Sequence, residues 1–131
     1  MIRLVLGIVA GIVTGMIVIS LMEMIGHAIW PPVAGMDAGD MDAVRASIAA
    51  MPPAALGFIV AGWTAGAFVG ALVANLIARR ALAGWIIAGL VVVSIIANAA
   101  MIPAPIWMPA SGIVLALMAG WIASRIRPMP F

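Results

Sequence analysis

The feature that most constrains the fold of this chain is a set of four long stretches without a charged residue. They cover residues 4–22, 53–78, 81–101 and 106–124 of the 131-residue sequence. An α-helix rises about 1.5 Å per residue and needs about 20 residues to cross a hydrocarbon core of roughly 30 Å. The sequence therefore predicts an all-α polytopic membrane protein.

The predicted architecture is a single membrane domain in which four transmembrane helices form an antiparallel bundle. The helices are expected at about 4–26, 53–78, 81–101 and 106–125, with an outer loop at 28–52. The last two stretches form one uncharged run that is too long for one span. Proline disfavours helix at its own position and at the residue before it, so Pro103, Pro105 and Pro109 mark the turn between these helices.

Composition excludes the other broad fold classes. The chain is 67% apolar and 8% charged, whereas soluble domains are about half apolar and a quarter charged. The strands of a membrane β-barrel would alternate in polarity, and these runs do not. The chain contains no cysteine, which excludes disulfides, thiolate metal sites and a cysteine nucleophile.

The first apolar stretch could be a membrane anchor or a cleaved signal peptide. Its apolar run is longer than the usual 7–15 residues of a signal peptide, and no A-x-A cleavage site follows it. A signal anchor is therefore the favoured interpretation.

The arginines predict the orientation of the bundle, because cytoplasmic flanks carry excess positive charge. In a four-helix layout, five of the six fall on one side: Arg3, Arg79, Arg80, Arg125 and Arg127. The opposite side receives Arg45 and all the aspartates. Both termini are therefore predicted to be cytoplasmic.

Two interpretations of the outer loop compete. Met41, Val44, Ile48 and Met51 recur at helical spacing, and Asp40 could cap a short helix on the membrane surface. Alternatively, Asp37, Asp40 and Asp42 could form a cation site, although their spacing matches no EF-hand loop. The capped interfacial helix is the favoured prediction.

Small residues four apart predict how the helices pack, because they allow two backbones to approach closely. Three such ridges are present: Gly7, Gly11 and Gly15; Gly62, Gly66 and Gly70, continued by Ala74 and Ala78; and Gly112, Ala116, Gly120 and Ser124. These ridges could join helices within one bundle or subunits in an oligomer, and packing of the first helix against the second is favoured.

Glu23 is the only acidic residue in the predicted spans, and His27, the only histidine, follows one turn later. Because the helices alternate in direction, Asn98 and Ser111 should lie at a similar depth. An ionisable residue inside a membrane is a candidate functional site. Glu23 and His27 could exchange protons or bind a cation, or they could be a structural pair held by Asn98 and loop N–H groups. The structural interpretation is favoured.

No enzyme or cofactor is predicted. The sequence lacks G-x-S-x-G, H-E-x-x-H, Walker A and G-x-G-x-x-G. A metal site is not expected either, since one His and one Glu supply at most two of the usual three or four protein ligands.

Three segments resemble a group of small, uncharacterised four-helix bacterial inner-membrane proteins. They are the stretch 26–32 (GHAIWPP), the glycine-ridged second helix ending at Arg79 and Arg80, and the stretch 101–107 (MIPAPIW). The resemblance covers most of the chain and implies a bacterial inner-membrane location but no activity. Small multidrug transporters are similar in size, but their essential glutamate is mid-membrane, whereas Glu23 is near a helix end. Fluoride channels are also similar in size, but their dual topology conflicts with the arginine bias.

The leading functional hypothesis is a non-enzymatic structural or accessory subunit packed through the glycine ridges. The alternative is a small oligomeric transporter or channel that handles protons or cations through Glu23 and His27. The expected partners are the lipid bilayer and a second copy or a larger membrane complex. The arginines lie at segment ends and form no basic stripe, so no nucleic-acid partner is expected.

Overall fold

The protein is described from a computed structural model, which describes residues 1–31, 39–102, 104–127 and 130. Over these residues the chain is all-helical, as the sequence predicts. The helices are α1 (Ile2–Ile29), α2 (Met41–Ala50), α3 (Pro53–Ala78), α4 (Ala81–Met101) and α5 (Trp107–Ile126). All except α2 are long and apolar enough to cross a membrane.

The observed bounds of α3 and α4 coincide with the predicted ranges, whereas α1 is longer than predicted. It continues past Gly26 to Ile29 and is followed by Trp30, whose φ of −123° and ψ of 85° are non-helical. Pro31 comes next, and a proline disfavours the helical conformation of the residue before it. At 28 residues, α1 exceeds by about two turns the length that crosses a hydrocarbon core.

Helix α2 begins directly after Asp40, as a capping residue there would require. The Asp40 Oδ1 atom accepts hydrogen bonds from the N–H groups of Asp42 at 3.1 Å and Ala43 at 3.4 Å. These bonds satisfy two of the backbone donors that a helix N-terminus leaves free. Asp37 and Pro103, to which the sequence patterns also pointed, lie outside the described residues.

The turn between α3 and α4 is held by Asn75, which is 3% exposed. Its Oδ1 atom accepts a hydrogen bond of 2.6 Å from the N–H of Gly84, and its carbonyl accepts one of 2.8 Å from the N–H of Arg79. Arg79 adopts the left-handed conformation (φ 57°, ψ 33°) that ends α3. A single asparagine thus fixes the geometry of a two-residue connection.

Helix α3 is central to the arrangement, since it packs against α1, α4 and α5. Small side chains fill most of the interior: of the sixteen buried apolar residues described, eleven are alanines. Large apolar side chains such as Val9, Ile17 and Val93 are exposed instead. Small residues between helices and large apolar residues on the outside are what close packing in a lipid environment requires.

Candidate binding cavity

The space between α1 and α3 depends on how closely these helices approach, and in one half of the bundle they are in contact. A Cβ atom built on Gly7 would lie 2.7 Å from the carbonyl oxygen of Ala74, and one on Gly11 would lie 2.7 Å from that of Gly70. Real Cβ atoms do not approach an oxygen so closely, so only glycine fits at these positions. The two backbones therefore touch directly here.

In the other half, side chains replace backbone as the contact between the same two helices. A Cβ atom on Gly62 would have only Met22 within 4 Å, at 3.2 Å, and one on Gly26 would have only the Phe58 ring, also at 3.2 Å. The bulkier side chains hold the backbones further apart at this end. The pair of helices is thus close at one end and separated at the other.

The glycines of α5 are also in contact within the chain. A Cβ atom on Gly112 would lie 2.9 Å from the Trp63 ring of α3, and one on Gly120 would lie 2.8 Å from Cβ of Ala88 in α4. All three small-residue ridges therefore contact other helices of the same molecule.

A cavity of about 630 Å³ lies at the end where α1 and α3 separate. We call it the Glu23 cavity. Its described lining comes from the four long helices, from Val44 and Ile48 of α2, and from connecting residues such as Trp30 and Met51. Leu56, Val60 and Met108 form a buried apolar cluster at the same end. The volume is within the range of roughly 300–1,000 Å³ typical of small-molecule sites.

Three of the four predicted polar-site residues line this cavity. They are Glu23 and His27 of α1 and Asn98 of α4. Ser111 is half-buried and is not among the lining residues; its Oγ donates a hydrogen bond of 3.2 Å to the carbonyl of Met108. The structure thus brings three of these side chains to one cavity and leaves the fourth bonded to its own helix.

The Glu23 and His27 side chains are exposed. Among the described residues, neither side chain forms a hydrogen bond or an ion pair. The side-chain amide of Asn98 forms no hydrogen bond there either. The structural interpretation has Glu23 held by His27, Asn98 and loop backbone N–H groups. Contacts of Glu23 with His27 and Asn98 are absent, and residues 32–38 of the loop lie outside the described part of the chain.

The rest of the lining is apolar and rich in aromatic and methionine side chains. Trp30 and Phe58 contact each other, with ring centroids 5.8 Å apart and planes tilted by 57°. Trp63, Met22 and Met108 also line the cavity. An apolar wall with a few polar groups is the usual construction of a small-molecule site.

A metal centre is not supported by the donor set. No group of three His, Cys, Asp or Glu side chains that could hold a metal ion occurs in the described ranges. Glu23 and His27 offer one carboxylate and one imidazole, and Asn98 adds one amide oxygen. Divalent hard cations prefer six or more oxygen ligands.

Sequence reasoning missed two features of this region. It assigned no role to Asn75 at the α3–α4 turn, whose partner Gly84 is nine residues away and carries no polar side chain. It also did not group Trp30, Phe58 and Trp63 around one space. The position of Trp63 was the one sequence signal that pointed to this cavity. A tryptophan well inside a span is away from the membrane interface that indole rings prefer.

A second, shallower cavity of about 500 Å³ adjoins the Glu23 cavity. Ile48 and Met51 line both cavities, whereas Arg45 and Trp107 line only the second. Helix α2 thus contributes side chains to both cavities, and Ile48 packs against the buried cluster of Leu56, Val60 and Met108.

Comparisons with protein-family models, with curated proteins and with solved structures find no match to this chain. The resemblance to small four-helix bacterial membrane proteins therefore stays a prediction, and function has to be argued from the cavity itself.

Proposed function

We propose that this chain is a multi-pass membrane protein that binds a small molecule in the Glu23 cavity and catalyses no covalent reaction. The single observation that carries the proposal is the Glu23 carboxylate, which lines a cavity of ligand size and has no ion-pair partner among the described residues. A carboxylate within a membrane protein is costly to maintain without a partner. A ligand that supplies the partner removes that cost.

The geometry supports this function better than the accessory-subunit hypothesis. An accessory subunit that bound its partner through the glycine ridges would need those ridges on its surface, although packing of the ridges within the bundle was already the favoured prediction. The ridge residues Gly11, Gly70 and Gly112 instead contact helices of the same chain. A second copy or a larger complex would have to use other surfaces, and the accessory role is retained as the alternative.

Binding is also better supported than an open channel. The half of the bundle away from the Glu23 cavity is filled by a buried cluster that includes Ala71, Ala74, Ala83, Ile87 and Ala123. A continuous pore would require these helices to separate. Transport by the chain therefore implies a rearrangement in which the close α1–α3 contact opens.

The membrane placement belongs to the same proposal. Arg3 is at the start of α1, Arg79 and Arg80 are between α3 and α4, and Arg125 and Arg127 are at the end of α5. Positive charge of this kind marks the cytoplasmic side. We propose a bacterial inner-membrane protein with both termini in the cytoplasm and the Glu23 cavity on the outer side.

Filling the cavity tests the proposed function. Ala99 and its neighbour Ala100 are both exposed, but only Ala99 lines the cavity. Ligand binding to the folded state raises the unfolding temperature. In a thermal-unfolding screen of cationic, anionic and neutral aromatic compounds, at least one class should stabilise the wild type and Ala100→Trp but not Ala99→Trp.

Two outcomes contradict the proposal. One is that no compound stabilises the wild type. The other is that every stabilising compound acts equally on Ala99→Trp. Either result would favour the accessory-subunit alternative.

A further inference from the structure

The chemical class of the ligand can be inferred from the lining, on the premise that the Glu23 cavity binds a small molecule. Its volume of about 630 Å³ far exceeds that of a single inorganic ion. A ligand that fills it must bring an apolar body, because most of the lining consists of apolar side chains such as Met22, Ile59 and Ile95. Size and lining together indicate an organic molecule.

The charge of the lining points to a cation. Glu23 is the only acidic residue in the described lining, and none of the arginines is part of it. Arg45, on α2, lines the second cavity instead, and its Nη1 is 4.0 Å from Oδ1 of Asp42. Within the described lining, an anionic ligand would meet a carboxylate and no arginine. A cation would meet its counter-ion.

The aromatic rings provide a second cation-binding element. In the register of α1 against α3, Met22 faces Gly62 and Gly26 faces Phe58. Glu23 therefore lies on α1 between the levels of Trp63 and Phe58. A cation close to an aromatic face is attracted to the ring, by about 0.5–2 kcal/mol. A molecule whose positive charge is at Glu23 can place its apolar body against these rings.

We propose that the Glu23 cavity binds an organic cation with an aromatic or otherwise apolar body, with Glu23 as counter-ion and Phe58 and Trp63 as the aromatic walls. This assignment of the ligand rests on the proposed function, which is the binding of a small molecule in the Glu23 cavity. Methionines beside the rings allow such a cavity to fit bodies of different shape, because their side chains are flexible and polarisable.

Radiolabelled tetraphenylphosphonium is a suitable probe, and triphenylphosphine oxide is a neutral analogue with a similar apolar body. Binding is measured by scintillation proximity on purified protein in zwitterionic detergent, with empty micelles as background. Wild-type protein should bind tetraphenylphosphonium saturably, and triphenylphosphine oxide should compete weakly. Glu23→Gln should weaken the affinity by about tenfold or more, since it removes one charge of a close pair.

Asp42→Asn is the matched control. It removes a carboxylate from the same end of the molecule, but Asp42 does not line the cavity. Its affinity for the probe should stay within about twofold of the wild type, since exposed ion pairs contribute little. Ala99→Trp, which fills the cavity, should abolish saturable binding.

The outcomes separate the two proposals. Equal competition by triphenylphosphine oxide, together with unchanged affinity in Glu23→Gln, would overturn the cation assignment and leave the binding cavity standing. Binding that survives in Ala99→Trp would overturn both the cation assignment and the cavity as the site. A third outcome is that neither compound binds saturably, while another class of compound stabilises the wild type but not Ala99→Trp in the thermal-unfolding screen. This result would overturn the cation assignment alone.

Discussion

Single glycines determine how closely the two longest helices approach. At Gly7 and Gly11 the nearest partner atom is a backbone carbonyl oxygen of α3, which cannot move aside as a flexible side chain can. Gly66 is enclosed by the Ile19 side chain and, behind it, by the backbone carbonyl oxygen of Gly15 at 3.1 Å. By contrast, a Cβ atom added to Gly89 would have nothing within 4 Å. Glycines in this chain are therefore not equivalent.

An enclosed glycine and an open one should respond differently to the same substitution. Gly66→Leu should destabilise the protein by about 1–3 kcal/mol or more, because the added side chain forces α1 and α3 apart. Gly89→Leu should have little effect or stabilise the helix, since leucine has the higher helix propensity. Thermal unfolding in detergent measures both. Similar unfolding temperatures for the two variants would remove the close-contact argument.

The candidate site was partly predictable at this scale. Glu23, His27 and Asn98 could be placed at one depth, because polar residues in apolar spans are few and helix direction alternates. Ser111 was predicted with them, but a serine in a helix readily bonds to a carbonyl of its own helix, and sequence cannot distinguish the two choices. The contact between the rings of residues 30 and 58 depends on the α1–α3 register, which sequence does not specify.

Among the elements, α2 differs from the long helices. It has ten residues, and none of them is fully buried. Val44 and Ile48 extend into the Glu23 cavity lining, while most of the other residues of the helix are exposed. Segments with few buried contacts open more readily than a core helix. The local stability of α2 therefore depends strongly on its Asp40 cap.

Loss of this cap should loosen α2 alone. Asp40→Ala should remove two hydrogen bonds at the start of α2, at a cost of about 1 kcal/mol. Amide hydrogen exchange in α2 should then be faster by about fivefold, with α3 unchanged. Asp42→Asn serves as the control, because its side chain caps nothing. Equal acceleration in both variants, or acceleration that extends into α3, would contradict a local role for the cap.

The helices themselves were the most predictable part of the fold. Bilayer thickness fixes the length of an apolar span, so α3 and α4 could be bounded from the uncharged stretches and the prolines alone. The ends of α1 were less predictable. A membrane-spanning helix can continue beyond the hydrocarbon core until a helix-breaking residue ends it. For α1 that residue is Pro31.

The whole molecule combines a close-packed half with a half that contains a cavity. Small residues on α1 and α3 bring the helices together where Gly7 meets Ala74, and bulkier residues separate them where Gly26 meets Phe58. Charge follows the same division. Five arginines lie at the close-packed end, and the described acidic residues, Glu23 among them, lie at the cavity end. Shape and charge thus both favour a cationic ligand at that end.

The central claim is that a small molecule binds inside the Glu23 cavity. Cysteine labelling tests this claim most directly. The chain has no cysteine, so Ala99→Cys introduces a unique thiol in the cavity lining. Ala50→Cys places a control thiol on an exposed residue of α2 that lines neither cavity. The rate of maleimide labelling is measured in purified protein with and without saturating tetraphenylphosphonium. Labelling of Ala99→Cys should slow by about tenfold or more while Ala50→Cys is unaffected; unchanged labelling of Ala99→Cys at saturation, or equal slowing at both positions, would contradict the account.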